Sequence, residues 1–280
     1  MITELDYDCD AGELLYHYCS PQTFLAIIQG KKLRFSDVLA MNDFSESRWG
    51  AELLGRCLNE HGSSWARRLA AVLSSDYELA HHLSITAACC FSRRGDVLSQ
   101  WRAYADDATG FAIGFDPKQL KMMDARLLGV VYKQEDQTSI VRQVLKDIEG
   151  EAHRRGVDIE ETSERVVDIL LDAVGFKNPC FSEEDEVRSI HRIGLNHMDG
   201  GRVQPIYPNG GGARSAEVMF RMRGSTPVAY VDLALPCEDP GVRQIVVGPK
   251  AQLDLRAMKI FLGTLGYERV QIVESSVTYR

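Results

Sequence analysis

The sequence predicts an α+β protein, with small mixed or antiparallel sheets beneath covering helices, folded as a single domain over residues 1–280. Three observations carry this. Short strand-like runs recur from one end of the chain to the other, and helical runs with three- and four-residue apolar spacing lie between them. No repeat or low-complexity tract breaks the pattern.

The composition, 45% hydrophobic and 26% charged, supports a sizeable core. A net charge of −8 and a pI near 5.4, with the acids spread along the chain, exclude broad non-specific attraction to phosphate backbones while allowing a local basic cleft. The seven cysteines (Cys9, Cys19, Cys57, Cys89, Cys90, Cys180, Cys237) are odd in number and lack a C-x-x-C pair, which predicts reduced thiols and no zinc ribbon. The amino terminus is acidic and without a signal-peptide pattern, and no apolar run reaches spanning length. The expectation is a cytoplasmic protein with no membrane partner.

Leu14-Leu15-Tyr16-His17-Tyr18-Cys19 reads as the first strand. Alternation sends Tyr16 and Tyr18 to one face and Leu15, His17 and Cys19 to the other, so His17 leaves an apolar face either as a core histidine or as a ligand contact. Ser20-Pro21 starts a short helix with Phe24, Leu25, Ile27 and Ile28 as its buried stripe, ending at Gly30. Residues 31–36 return as a strand. Met41-Asn42-Asp43-Phe44-Ser45-Glu46 is turn chemistry or the cap of the next helix. From about 46 to 83, Trp49, Leu53, Leu54, Leu58, Trp65, Leu69, Val72 and Leu73 recur at helical spacing.

Residues 85–92 read as a buried strand on which Cys89 and Cys90 point to opposite faces. Arg93-Arg94-Gly95-Asp96 turns into a helix over 97–105, with Leu98, Trp101 and Tyr104 or Ala105 on one side, and 110–116 is the next strand. Residues 134–175 hold two amphipathic helices, marked by Ile140, Val141, Val144, Leu145 and Ile148, then Val166, Val167, Ile169, Leu170 and Val174. This pair is expected as a helical insertion covering the sheet. The acids Glu183 to Glu186 run into Val187, which puts Glu186 at the start of a strand. Residues 198–226, glycine-rich with scattered arginines, read as a mobile loop without phosphate-cradling spacing. Strands at 228–235, 245–249 and 270–273 and a helix at 253–265 complete the pattern.

Several of these blocks resemble a bacterial family, the domain-of-unknown-function family 2971. They are Leu15-Tyr16-His17-Tyr18, Leu33-Arg34-Phe35-Ser36 with Asn42-Asp43 and Glu46, and Cys90-Phe91-Ser92 with Trp101-x-x-Tyr104-Ala105 and Gly110-Phe111. Glu184-Asp185-Glu186-Val187-Arg188, Val246-Val247-Gly248-Pro249 and the closing Ser-x-x-Tyr-Arg follow in order. Cys19, Phe44 and Val187 depart from the family's pattern, where Thr or Ser, Pro, and Trp are usual.

The layout also resembles, more distantly, the ADP-ribosyltransferase group, which implies an ADP-ribosyltransferase-like core and NAD as substrate. The matching positions are His17, then Phe91 with Ser99 and Tyr104, then Glu186. The resemblance implies His17, Tyr104 and Glu186 as catalytic residues, with His17, Tyr18, Arg34, Ser36, Phe91, Ser92, Trp101 and Arg188 around the dinucleotide. Cleavage of the nicotinamide–ribose bond passes through an oxocarbenium-like state, which a carboxylate on a ribose hydroxyl stabilises. That role is expected of Glu186, with Glu184 as its substitute on the same strand face. His17 is expected to donate to the other ribose, Tyr104 or Phe91 to stack on nicotinamide, and Arg34 or Arg188 to reach the pyrophosphate. The implied function is NAD-dependent ADP-ribosyl transfer to an unknown protein or nucleic-acid acceptor, or NAD glycohydrolysis, in bacterial conflict or phage defence.

Two other readings stay open. One is a non-catalytic ligand-sensing or protein-interaction module on the same fold, which Cys19 and Val187 favour. The other is a metal-dependent nuclease built on Asp43, Glu46 and the 183–186 acids, although no metal-ligand spacing supports it and no metal site is expected. A serine hydrolase is disfavoured because G-x-S-x-G is absent.

Overall fold

The computed structural model describes residues 1–40, 44–71, 84–158, 171–198, 201–206 and 217–279, with Thr162, Val166 and Ile169, and of 44–48 the backbone alone. Asn42, Asp43, the side chains of Phe44 and Glu46, Val72, Leu73, Val167, Leu170, residues 207–216 of the glycine-rich stretch and Arg280 therefore lie outside the described residues.

The expected α+β class is observed, with one difference. Among the described residues the strands join in a single largely antiparallel sheet of eleven strands rather than several small ones. Its centre is a long antiparallel pair, β3 (Ser84–Ser92) and β6 (Glu186–His197), in register from Ser84 opposite Gly194 to Ser92 opposite Glu186. Both strands share their outer edges between two neighbours. On β3 these are β1 (Leu15–Cys19) and β2 (Lys32–Asp37). On β6 they are β5 (Arg126–Gly129) and β7 (Val203–Ile206). From β1 the sheet continues through β4 (Phe111–Phe115) and β10 (Val242–Val247) to β11 (Gln271–Glu274), the last pair being parallel. From β2 it continues through β9 (Thr226–Ala234) to β8 (Met219–Arg223).

Three of these strands depart from the sequence expectations. β7 and β8 fall inside the stretch read as a loop, and β5 follows a short helix, α4 (Pro117–Leu120), where none was expected. They are short, and β8 carries alternating Arg221 and Arg223 that hide its apolar face.

One sheet face is covered by α1 (Pro21–Gly30) and α6 (Leu255–Thr264). Phe24, Ile27, Ile28, Met258 and Leu262 from these helices pack on Leu15, Leu33, Phe35, Phe91, Ile113 and Val187. Ser20 caps α1, its hydroxyl accepting from the Thr23 N–H at 3.2 Å, and Pro21 follows where a missing N–H costs nothing.

The other face carries two separate clusters. α2 (Phe44–His61) and α5 (Gln134–Arg155) bury Leu53, Leu54, Leu58, Val141, Leu145 and Ile148 against Ala88, Leu128 and Ile190. α3 (Leu98–Tyr104) buries Trp101 with Tyr18, Ala112 and Val246. Asp96 ties the closing segment to α3. It accepts from Trp101 Nε1 at 2.7 Å and from the N–H and Oγ of Ser276, both at 2.7 Å, while Tyr279 donates to Asp107 at 2.8 Å. The closing Ser-x-x-Tyr block is thus a latch across α3. Two further blocks owe their glycines to close backbone approach: a Cβ on Gly110 would lie 2.1 Å from the Cys19 carbonyl oxygen, and one on Gly248 2.5 Å from that of Ala108.

No helix among the described residues is long and apolar enough to cross a membrane.

Candidate functional site

Ser92 pairs with Tyr16 of β1 and Ala88 with Ser36 of β2, so β1 and β2 part along the edge of β3 and leave Cys90 at a fork. A cleft of about 750 Å3 opens there, between the Trp101 cluster and the α2–α5 block. That volume is in the range of small-molecule sites.

His17 fills the fork. Its Nδ1 lies 2.9 Å from the Cys90 carbonyl oxygen, so Nδ1 carries the proton and donates. Burial pushes the imidazole below its ordinary pKa, against the opposing pull of the Cys90 hydrogen bond. The neutral ring then offers Nε2 as an acceptor. This corrects the expected donation from His17 to a ribose: the geometry suits acceptance from a hydroxyl.

The acid wall is built by a sharp turn. Glu184 ends a 3-10 helix, Pro179–Glu184, and Asp185 is left-handed with φ 45°, after which Glu186 opens β6. Glu184 and Glu186 therefore do not share a strand face, contrary to expectation; they converge on Lys177 instead. Lys177 Nζ lies 2.6 Å from Glu184 Oε2 and 3.0 Å from Glu186 Oε2. Arg188, two residues along β6, donates from Nε to Glu186 Oε1 at 2.8 Å and from Nη2 to Oε2 at 3.0 Å. Glu186, Arg188 and Lys177 are all buried. Burial pushes the Glu186 carboxyl up, but the charge and hydrogen bonds of Arg188, then Lys177 and the Cys90 thiol, overcome it and hold the group at about 2. The same surroundings, burial first, push the Cys90 thiol well up, so it is a donor and not a nucleophile.

Lys177 is held in place from behind. Gln137 of α5 is fully buried and donates to the carbonyls of Lys177 at 2.8 Å and Val131 at 2.7 Å, while accepting from Trp49 Nε1 at 2.9 Å. Tyr132 takes the Glu186 N–H on its hydroxyl at 2.9 Å.

Across the fork the wall is basic. Arg34 sits opposite Asp232 on β9 and pairs with it in two contacts, 2.9 and 3.1 Å, with its guanidinium 4.0 Å from the centre of the Tyr230 ring. Arg221 and Arg223 of β8 line the same wall, Arg221 reaching Ser36 Oγ at 3.5 Å and Arg223 the Ala40 carbonyl at 2.5 Å.

Of the predicted residues, His17, Tyr18, Arg34, Ser36, Phe91, Ser92, Tyr104, Glu186 and Arg188 all line this cleft. Some serve the frame as well. Tyr18 donates to the Arg94 carbonyl at 2.8 Å and accepts from the Val97 N–H at 3.1 Å. Phe91 is buried against Phe115, and Ser92 Oγ accepts from the Arg94 N–H at 3.1 Å. Trp101 is corrected: it is fully buried outside the cleft lining, edge-on to Tyr18 at 4.8 Å, because α3 turns Gln100 and Tyr104 toward the cleft instead. Ser99 is not in the lining either. Arg188 is committed to Glu186, which leaves its expected pyrophosphate role to the basic wall. Cys19 and Val187 both belong to the core under α1 and are not in the cleft lining.

Gln100, Lys177, Arg221 and Arg223 were not foreseen as lining residues. The R-x-R alternation of β8 was a usable signal; Lys177, in an apolar run, gave none.

Among the described residues no group of three or more His, Cys, Asp or Glu is placed to hold a metal ion. Asp43 and the Glu46 side chain lie outside those residues.

No curated protein and no solved structure matches this chain. Residues 100–189, which run from the cleft face of α3 through the Lys177, Glu184, Glu186 and Arg188 cluster, match the model of a family described as "Protein of unknown function (DUF2971)".

Proposed function

We propose that the fork cleft binds NAD or a related dinucleotide and that the chain cleaves its nicotinamide–ribose bond, passing ADP-ribose to an acceptor or to water. The observation that carries this reading is the two-signed lining. Arg34, Arg221 and Arg223 form one wall, and on the other the Glu184 and Glu186 carboxylates stand paired with Lys177 and Arg188. NAD needs both, having a dianionic diphosphate and a cationic pyridinium. The diphosphate lies along the basic wall, the nicotinamide ribose turns toward the acids, and His17 Nε2 accepts from a sugar hydroxyl. Tyr104, 40% exposed at the cleft, offers a stacking face.

Glu186 is ionised but engaged. A carboxylate has about four acceptor positions, and Arg188, Lys177 and the Cys90 thiol use them. In this reading Lys177 is the contact that gives way. Moving wholly onto Glu184 releases Glu186 Oε2 for a ribose hydroxyl, where its charge faces the developing oxocarbenium.

That engagement favours a second reading, a module that binds a dinucleotide without cleaving it. Incubation with NAD labelled in both rings separates the two. Nicotinamide release supports the first and retention of intact NAD on the protein supports the second; if neither is seen, both readings fall.

A further inference from the structure

Gln100 is 6% exposed, lines the cleft, and makes no side-chain hydrogen bond to any described residue. Buried amides are normally partnered, as both amide atoms of Gln137 are; the Gln100 amide atoms are not among the sealed, unpartnered polar atoms of the described residues, so they open on the cleft. Gln100 also occupies a chosen position. It lies one turn before Tyr104 on the same face of α3, with small Ala103 beside them, and all three line the cleft.

We infer that Gln100 reads a planar edge bearing a hydrogen-bond donor next to an acceptor on the ligand ring that lies against Tyr104. A primary amide has one donor group and one acceptor, so it pairs in two hydrogen bonds with another carboxamide or with an adenine edge. Both occur in NAD, as the nicotinamide carboxamide and the adenine amino group with the adjacent N7, an edge at which hypoxanthine presents two acceptors instead. The inference rests on the dinucleotide reading and adds to it the feature that sets specificity. A site built to hydrogen-bond a polar group rejects an analogue lacking it far more strongly than an apolar pocket does, because its own polar atoms are left unpaired.

The test is calorimetric binding of three dinucleotides: NAD, its nicotinic acid analogue, and its hypoxanthine analogue. The wild-type protein, Gln100→Leu and Gln100→Glu are compared. The wild-type protein binds one analogue roughly ten- to a hundredfold more weakly than NAD. Weak binding of the nicotinic acid form assigns Gln100 to the carboxamide, and weak binding of the hypoxanthine form assigns it to adenine. In Gln100→Leu the discrimination falls to within about threefold, while the melting temperature does not drop, since no protein contact is lost. Equal binding of all three by the wild-type protein, or discrimination kept in Gln100→Leu, overturns the inference and leaves the dinucleotide reading intact. No binding of any of them overturns both.

Discussion

Arg188 grips Glu186 along the same strand, Nε to Oε1 at 2.8 Å and Nη2 to Oε2 at 3.0 Å, and both side chains are buried. A buried carboxylate held this way is costly to disturb on either side. Glu186→Gln removes the counter-charge that Arg188 grips and leaves Lys177 with Glu184 alone, and should lower stability by about 3–5 kcal/mol, measured by denaturant unfolding. Per folded molecule, nicotinamide release should fall about 10²-fold or more. A variant as stable and as active as the parent would remove Glu186 from both roles.

Acid should unfold the protein in two stages. Glu186, held at about 2 in the fold against an ordinary 4.5, contributes stability that is present above 4.5 and lost as pH falls toward 2. His17 is also depressed, from 6.5, so the unfolded chain takes its proton first and stability starts to fall below that value. His17→Asn should flatten the stability–pH curve just below 6.5 and leave the lower stage unchanged. A slope just below 6.5 that is the same in both proteins would contradict the assignment.

Asp172 is fully buried and joins the amino terminus to the sheet, accepting two contacts from Arg126 Nη1 at 2.9 Å and further ones from Arg192 and the Ile2 N–H. Asp172→Ala removes the acceptor that Arg126, Arg192 and the Ile2 N–H share, leaving Arg126 with Asp6, and a loss of about 3 kcal/mol is expected. Hydrogen exchange should show residues 2–6 losing protection first; uniform loss across the sheet would mean that Asp172 is not their anchor.

Gly110→Ala forces a methyl against the Cys19 carbonyl and must shift β1 or α3. Overpacking of this kind costs about 1–3 kcal/mol. The shift acts on the strand that carries His17, so NAD binding should weaken along with stability. Unchanged melting would show that the approach is looser than the structure has it.

Reversing charge on the basic wall should act on binding alone. Arg221 and Arg223 are exposed on β8, so Arg221→Glu with Arg223→Glu should leave melting nearly unchanged while weakening NAD binding tenfold or more and reducing its salt dependence. Unaltered affinity would move the diphosphate elsewhere.

How far the sequence foretold this arrangement varies from residue to residue. Strand alternation put Leu15, His17 and Cys19 on one face, and the capping signal at Ser20-Pro21 set the start of α1; both are local effects, written in consecutive residues. The strand start at Glu186 was legible for the same reason. The fork was not, because it depends on β1 and β2 sharing one edge of β3, a pairing between distant segments. Lys177 stayed hidden for that reason too: its partners are set by Gln137 and by the left-handed turn at Asp185. The resemblance alone places Trp101 at the ligand, since a helical stripe does not say which of two neighbouring faces meets a cleft. Glu184 was placed on a strand face because a run of acids does not reveal a 3-10 turn.

Release of labelled nicotinamide from NAD, followed in parallel for the wild-type protein and Glu186→Gln at matched folded concentration, tests the central claim most directly. The account predicts release by the wild-type protein and about 10²-fold less, or lower still, from the variant. Bound but intact NAD in the wild-type protein, or equal release from both, would contradict it.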